Sequence, residues 1–578
     1  MNSVLRPRAP RILTATLLVS AALVCVATAA QAAVTISTRS TSNMTCTGGV
    51  CTPTAAKANL NVTELANMLA AGDVTVKSDS AALDIRFAAP LSWTSTSRLT
   101  LDSYHSITFE TPVTVAGTGA VTITTNDGGD GGDYSFEAEG HVEFWDLNSS
   151  LIIGGHRFKL ANTLAQLAEG ASKKRGTGYV ALAKSYDALD DGPYKKPLIK
   201  QFSGTLEGLG NHLKNFSLRF RKATEFYHLV GLIGDIGSPG LVQNLTLENA
   251  TITCAIADDY VGALAARNYG TIKAVAVTGR VTSLGAGLPD AVGGIVGLSS
   301  GNILHSHSSA SVKFGAWTGG LAGILRTEAG AATIVNSFSN GHVSGSANAG
   351  GLVGRSDSTD DLVIGSFATG KVDNAQFCCN TGGNVGGLLG DGRATISYSY
   401  ATGDTTSYTV SAVTGGLVGA DGGAIDHSFS SGAVSAEDCM ACGGLAGYAV
   451  TVTDSYSTGN VTGVSTCRCG GLVGVGSSAI TTSFSTGHLQ SPGLVGGFIG
   501  EDDSGSGSLA DNYWNLDTSG ISDPSRGAGN RANDPGITGL TDSQLKSALP
   551  VGFDPETWGR KKAINNGYPY LLANPPPK

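Results

Sequence analysis

Nine cysteines lie beyond residue 32, and four of them fall into a spacing that can do chemistry. Cys439-x-x-Cys442 and Cys467-x-Cys469 lead into consecutive copies of one Gly-rich phrase, "CGGLAG" and "CGGLVG". Cys442 and Cys469 therefore hold equivalent positions. In stacked units their Cα atoms would fall about 5 Å apart, within disulfide range. The same four thiolates would suit a zinc site. An exported chain favours the disulfides, and no metal is expected. Cys46 and Cys51 are expected to close a small loop. The vicinal Cys378 and Cys379 have no clear partner. Cys254 holds the same repeat position as Cys378 but lies four units away.

A second constellation is aromatic. Phe338, Phe367, Tyr400, Phe429, Tyr456 and Phe484 recur in phrases such as "NSFSNGHV", "HSFSSGAV" and "DSYSTGNV". Rings flanked by Ser and Thr can stack on sugar rings, which makes these six the candidate ligand face. Equally, they can stack on one another and stabilise the chain.

Other candidates are weaker. "NDGGDGGD" offers Asp127, Asp130 and Asp133 as calcium ligands, but it occurs once and reads as a turn. Polysaccharide cleavage needs two carboxylates about 5–10 Å apart. Asp258-Asp259, Asp360-Asp361 and Asp502-Asp503 are acid pairs in variable spacers, read as solvated loop charge. No H-E-x-x-H, G-x-S-x-G or P-loop is present, which excludes the chemistries those motifs support. His305 and His307 replace the aromatic phrase in one unit and read as a drifted repeat. No catalytic residue and no cofactor is assigned.

The elements that position these residues follow from the repeat. The Gly phrase ends at Gly234, Ala266, Gly297, Gly323, Gly354, Gly390, Gly419, Gly447, Gly474 and Gly500. The aromatic phrase runs in step with it, and "NYWNLDTSG" from Asn512 reads as a last, altered copy. Ten copies at steps of 26 to 36 residues are the mark of a solenoid. Each unit carries too much Gly, Thr, Ser and Val for stacked helices, and no Trp-Asp signature marks a propeller. The spacing predicts an all-β chain folded as a right-handed parallel β-helix with short capping helices. Period-two alternation turns Ser337, Ser339 and the Val343/Val372/Val434/Val461/Leu489 track inward. The rings then share the outward face with His342, Lys371, Asp404, Asn460 and His488.

Residues 1–32 read as a signal peptide: Arg6, Arg8 and Arg11, an apolar stretch, and "AQA" at the cleavage site. Its removal takes three arginines and no acid, so the formal charge falls from −9 to −12. An acidic chain without a basic tract is a poor partner for nucleic acid or anionic membranes. No transmembrane segment is expected once the signal is removed. Gly supplies 81 of 578 residues, and apolar residues 41%, too many for disorder. The expected divisions are a lead at 33–59, smaller coils with short helices at 60–200, Gly-phrase coils at 201–515, and a loop, helix and cap at 516–578. Helical spacing marks 61–71 and 160–169, and "TDSQLKSAL" reads as a helix N-capped by Thr541.

The "GGLVG" copies resemble the GLUG repeat of secreted bacterial proteins. "LNVTELANMLAAGDVTVKS", "APLSWTSTSRLTLDSYHSITFETPVTV" and "FSGTLEGLGNHLKNFSL" resemble filamentous-haemagglutinin-like adhesins. "GLTDSQLK", "FDPETWG" and "INNGYPYL" resemble the usual ending of such chains. The resemblance covers nearly all of residues 55–572 and lacks the "NPNG" and "NPNL" of the two-partner secretion domain. It implies a non-enzymatic secreted or surface-exposed adhesin that meets host or neighbouring-cell glycans or proteins. A polysaccharide-active enzyme and a purely structural exoprotein are the alternatives.

Overall fold

The computed structural model describes residues 32–577 apart from 130, 138, 222–227, 256–258, 285–289, 329, 375–381, 506 and 507. All but the last residue of the expected signal peptide, together with Asp130, Asp258, Cys378 and Cys379, lies outside the described residues.

Each repeat unit folds into one coil of short strands, and coils stack as a parallel β-solenoid. One coil holds Asn348–Gly350, Val353–Ser356, Leu362–Ile364, Phe367–Ala368 and Val372–Asn374. Each pairs in parallel with its counterpart in the next coil: Val385–Gly386, Leu389–Gly392, Thr395–Ser397, Tyr400–Ala401 and Thr405–Ser407. The leucines of the Gly phrase line up along the axis. Leu352 N donates to Leu388 O at 2.9 Å, Leu388 N to Leu417 O at 2.7 Å, and Leu445 N to Leu472 O at 2.8 Å. All five side chains are buried.

The Gly phrase lets two strands of a coil come together at backbone distance. A Cβ on Gly350 would stand 1.9 Å from Val353 O, and one on Gly354 2.5 Å from Thr318 N of the preceding coil. A Cβ on Gly351 would stand 2.0 Å from Gly387 O and 2.7 Å from the Ala368 methyl across the core. No larger residue fits these positions.

The aromatic phrase begins at a corner. One residue takes positive φ in each coil: Asn336 (48°), Gly365 (57°), Tyr398 (50°), His427 (45°) and Asp454 (44°). Gly, Asn and Asp tolerate that conformation best. The corner lifts the next amide out of the strand ladder, and a serine hydroxyl from the following coil receives it. Ser337 N donates to Ser366 Oγ at 3.2 Å, Ser366 N to Ser399 Oγ at 3.2 Å, and Ser399 N to Ser428 Oγ at 3.1 Å. Each hydroxyl in turn donates to the carbonyl two residues back, as Ser366 Oγ does to Ile364 O at 2.9 Å. These corner serines are therefore satisfied without water, whereas the buried Ser339 and Ser457 hydroxyls have no partner among the described residues.

The smaller coils begin earlier than expected. Ala33–Ser37, placed by the sequence in a lead, is already a strand of the rod between Lys57–Asn61 and Asp84–Phe87. Its coils use three strands, such as Asp84–Phe87, Leu91–Trp93 and Arg98–Asp102. Helix α1 (Val62–Ala71) is N-capped by Asn61 and buries Leu65 and Leu69. Helix α2 (Leu164–Ser172) buries Leu164 and Leu167 against the larger coils. The two cores meet at buried Glu207, which accepts from Tyr134 Oη (2.6 Å), Leu209 N (2.8 Å), Gln243 Nε2 (2.9 Å) and Asn244 Nδ2 (3.1 Å). At the far end Ile537–Leu540 pairs with Asn512–Asn515, the altered last copy. Helix α3 (Asp542–Ser547) follows, with Thr541 and Gln544 forming a capping box. Among the described residues no helix is long and apolar enough to cross a membrane.

Gly351→Ala should cost about 3 kcal/mol or more, or prevent folding, by forcing coils apart. Gly72→Ala, where a Cβ meets open space, should stay within about 0.5 kcal/mol in the same denaturant titration. Asp421 is buried with only Oδ1 bonded, to Gly423 N at 2.9 Å. Burial pushes its carboxyl up to about 7. The fold therefore favours the protonated form, and the contribution of Asp421 to stability is full below the ordinary carboxylate pKa. It is lost as pH rises through about 7, by about 2–4 kcal/mol. Asp421→Asn should flatten the fall in thermal midpoint between about pH 4 and 7.

Candidate functional site

The six rings form a continuous column. Pairing places Phe338 beside Phe367, Tyr400, Phe429, Tyr456 and Phe484 in turn. Centroids lie 4.7, 4.7, 4.9, 4.9 and 5.1 Å apart with interplanar angles of 8° or less. His307 extends the stack at 4.7 Å from Phe338, so the drifted unit keeps the ladder going. The spacing is that of neighbouring strands, so the stack follows directly from the register. Each inner ring spends both faces on its neighbours and turns only an edge outward. Face-on stacking of sugars, the chemistry the sequence suggested, is closed to them.

The open six-ring face is corrected further. Phe429, Tyr456 and Phe484 are buried beneath the C-terminal segment, with Leu545, Phe553, Trp558, Tyr568 and Leu571 packed over them. That segment was expected to close the last coil; after α3 it instead runs back along the side of the rod. Tyr513 Oη donates to Val551 O (2.7 Å), and Trp558 Nε1 to Asp454 Oδ1 (2.9 Å). Asn574 Nδ2 reaches Ser399 O (3.2 Å) and His427 O (3.0 Å). The cover removes from water an apolar strip that would otherwise invite association. Phe338, Phe367 and Tyr400 remain half-buried, with Tyr400 at the edge of the cover.

The cysteines join as disulfides. Cys46–Cys51 closes a hairpin of Met44–Thr47 and Val50–Pro53, with Cα atoms 4.0 Å apart. Cys439–Cys467 and Cys442–Cys469 tie one coil to the next, at Cα separations of 5.3 and 4.6 Å. The four sulfurs lie within 4.8 Å of one another in a buried cluster. Cys254 is buried, with Sγ 2.6 Å from Asp259 Oδ2.

The acid pairs behave differently from solvated loop charge. Asp360 and Asp503 are exposed, but Asp361 and Asp502 turn inward. Asp361 accepts from Thr327 Oγ1 (3.1 Å), Ala332 N (3.2 Å) and Ser356 Oγ (2.8 Å). Asp502 is buried beside Arg531. Asp259 is buried too, its amide donating to Asp290 Oδ1 at 3.1 Å. These carboxylates terminate backbone and side-chain donors at coil corners, a use that residue type alone does not reveal. In the Gly-Asp loop, Asp133 is ion-paired with Lys273.

Sequence reasoning missed one cluster. Asp426, His427 and Asp454 bring a ligand atom each within 4.8 Å of the others, beside the C-terminal cover. His427 Nδ1 lies 2.7 Å from Asp426 Oδ1, and its ring stacks on Tyr398. Burial would lower the imidazole pKa, but the bond to Asp426 and the charges of Asp426 and Asp454 together raise it. An imidazole between two carboxylates is a donor set for a proton or a divalent cation.

The Tyr456 hydroxyl is buried under the cover without a hydrogen-bond partner. Tyr456→Phe should therefore stabilise the protein by about 1 kcal/mol. Tyr513→Phe loses the bond to Val551 and should cost about as much. Equal signs for the two in urea titrations would contradict this account of the cover.

No family model matches the chain. Over 166 residues it is 29% identical to Halomucin of Haloquadratum walsbyi, a match spanning 29% of this chain and 2% of that one. Over 142 residues it is 35% identical to a protein of Evansella cellulosilytica described as a Gly-rich membrane protein, covering 22% of this chain and 16% of that one. The chain thus matches a small part of either relative's length. Among solved structures, a candidate immunoglobulin A1 protease from Bacteroides ovatus aligns with 69% of this chain and 86% of its own, at 14% identity and a TM-score of 0.28.

Proposed function

We propose that this chain is a secreted or surface-exposed, non-enzymatic rod that attaches cells to neighbouring surfaces, matrix or glycans. The observation that carries the reading is the solenoid itself. Its coils hold their side chains in fixed columns, so that outward groups stand at one strand spacing all along the rod. Weak contacts repeated along such a surface add through effective concentration. The inward acids favour attachment over cleavage, since Asp361 and Asp502 are engaged in holding coils rather than flanking an open groove. Partial likeness to Halomucin and to a Gly-rich membrane protein supports a place at the cell surface. The ring column acts here as a stiffener, with each stacked pair contributing about 0.5–1.5 kcal/mol beyond area burial.

Beads coated with the protein beyond residue 32 should retain cells or cell-wall glycans and leave the glycans at their original length. Shortened glycan products would replace this reading with that of a polysaccharide-active enzyme. Phe338→Ala with Phe367→Ala should lower the melting midpoint while leaving retention by the folded protein within about twofold.

A further inference from the structure

Four sulfurs converge between two coils, at the strands Cys439–Gly443 and Arg468–Gly470. Cys442 lies beside Cys469 in the parallel ladder, with Ala441 beside Arg468 and Gly443 beside Gly470. Cys467 and Cys469, two residues apart, share a face by the period of a strand. Cys439 and Cys442 are three apart, and in a regular strand they would face opposite ways. The ladder prevents this. Ala412 pairs with Cys439 and Val413 with Ala441, so Met440 is an extra residue in the register. Its side chain is exposed, and Cys439 turns inward with Cys442. The four Sγ atoms end within 4.8 Å of one another, walled by Val434, Val461, Leu489 and Val495.

One bridge would tie these coils nearly as well as two. Cys439–Cys467 and Cys442–Cys469 span sequence separations of 28 and 27. Once either has formed, the other closes only the short way round, through residues 439–442 and 467–469. The chain entropy removed by a second bridge is small, because it grows with the loop that is closed. A tetrahedral ion uses all four sulfurs. With metal–sulfur bonds of about 2.3 Å, the sulfurs of a tetrathiolate stand about 3.8 Å apart, inside the span found here. The backbone keeps the sulfurs gathered when the bridges are open. Gly444 N donates to Gly470 O at 3.2 Å, and Leu445 N to Leu472 O at 2.8 Å, just beyond the cysteines. Gly463 leaves the sulfurs room, since a Cβ there would stand 2.8 Å from Cys469 Sγ and 3.3 Å from Cys442 Sγ. Ser465 Oγ, 3.4 Å from Cys467 Sγ, is placed to donate to a thiolate.

We propose that Cys439, Cys442, Cys467 and Cys469, as thiols, form a site for one zinc-type divalent cation, and that oxidation to the two bridges expels it. Every chain is made with its cysteines as thiols, so the metal-binding state precedes the disulfide state. Donor chemistry selects the ion. Four thiolates suit Zn²⁺ and its spectroscopic stand-in Co²⁺, whereas Mg²⁺ and Ca²⁺ require oxygen. Binding displaces the four thiol protons and leaves a tetrathiolate complex of net charge −2. Exchange with two molecules of a small disulfide then yields both protein bridges, four small thiolates and the free ion. The inference stands apart from the attachment reading.

For the test, the protein beyond residue 32 is reduced with a phosphine, which takes oxygen from water and leaves two thiols per bridge. The phosphine is removed without air, and the protein is titrated with Co²⁺. One Co²⁺ per chain should give the intense visible bands of tetrahedral cobalt and a near-ultraviolet thiolate band, and Zn²⁺ should displace it. Cys439→Ser with Cys467→Ser, or Cys442→Ser with Cys469→Ser, should abolish the bands and weaken Zn²⁺ binding by about a hundredfold or more. Cys46→Ser with Cys51→Ser should leave both unchanged. A small-molecule disulfide should release the ion and restore both bridges, as read by peptide mass mapping. Reduced, folded protein that gives no tetrahedral band overturns the proposal, as does a band that survives either inter-coil pair of substitutions. Circular dichroism reports the fold. A reduced chain that unfolds without metal and refolds on Zn²⁺ supports the site, and one that stays unfolded with Zn²⁺ overturns it.

Discussion

At each Gly phrase, two strands of the rod approach until nothing larger than hydrogen fits between backbone and backbone. This contact holds the cross-section of the coil constant. Gly350 and Gly354 set the distance between the strands flanking the phrase, and Gly351 leaves room for Ala368 across the core. With the cross-section fixed, Leu352, Leu388 and Leu417 fall on one line and hydrogen-bond from coil to coil. The serine corner depends on the same constancy. Ser366 Oγ can receive the Ser337 amide only if the two corners lie one strand spacing apart. A coil that widened would lose the leucine contact, the serine bond and the ring stack together.

Much of this was legible because it is periodic. The Gly and ring phrases gave the coil, its step and the inward serines. Thr541 was legible as a cap, because a local capping box needs only three residues of context. The nearness of Cys442 and Cys469 was legible from equivalent positions in successive units, but which of the four cysteines pair was not. The C-terminal cover was not legible, because it is made by contacts without period. Trp558 meets Asp454, and Asn574 meets Ser399, across more than a hundred residues of chain. No spacing rule connects them, so the rings beneath read as open. Asp361 and Asp502 were misread for a related reason. A carboxylate in a variable spacer has the same composition whether it faces water or closes a corner, and only the neighbouring amides decide.

The functional reading changes with the geometry of the rings. Six aromatics on one side suggested a platform for sugars while they were letters at intervals. As a column at strand spacing they face one another, and half lie under Phe553 and Trp558. Outward rings elsewhere on the rod are engaged as well, Tyr269 beneath Arg267 and Trp317 beneath Arg355, both packed on Ala291, Leu298 and Ile324.

A parallel stack imposes a rule on every column: each residue lies about one strand spacing from its own equivalent. Groups that gain from meeting themselves can repeat without limit. Gly, Leu, Ser and aromatic rings do so here. Like charges in register repel, so charged columns seldom repeat, and where Asp259 and Asp290 meet in consecutive coils the Asp259 amide bonds Asp290. The outward column beside the rings obeys this, running His342, Lys371, Asp404, Ala433, Asn460 and His488 with no adjacent like charges. So does the column after the Gly phrase, where Asp235 precedes Arg267, and Leu298 and Ile324 separate Arg267 from Arg355. The repeat is therefore strict where self-contact is favourable and variable where it is not. The distinctive chemistry of the rod sits in the variable columns, which the repeated phrases leave out.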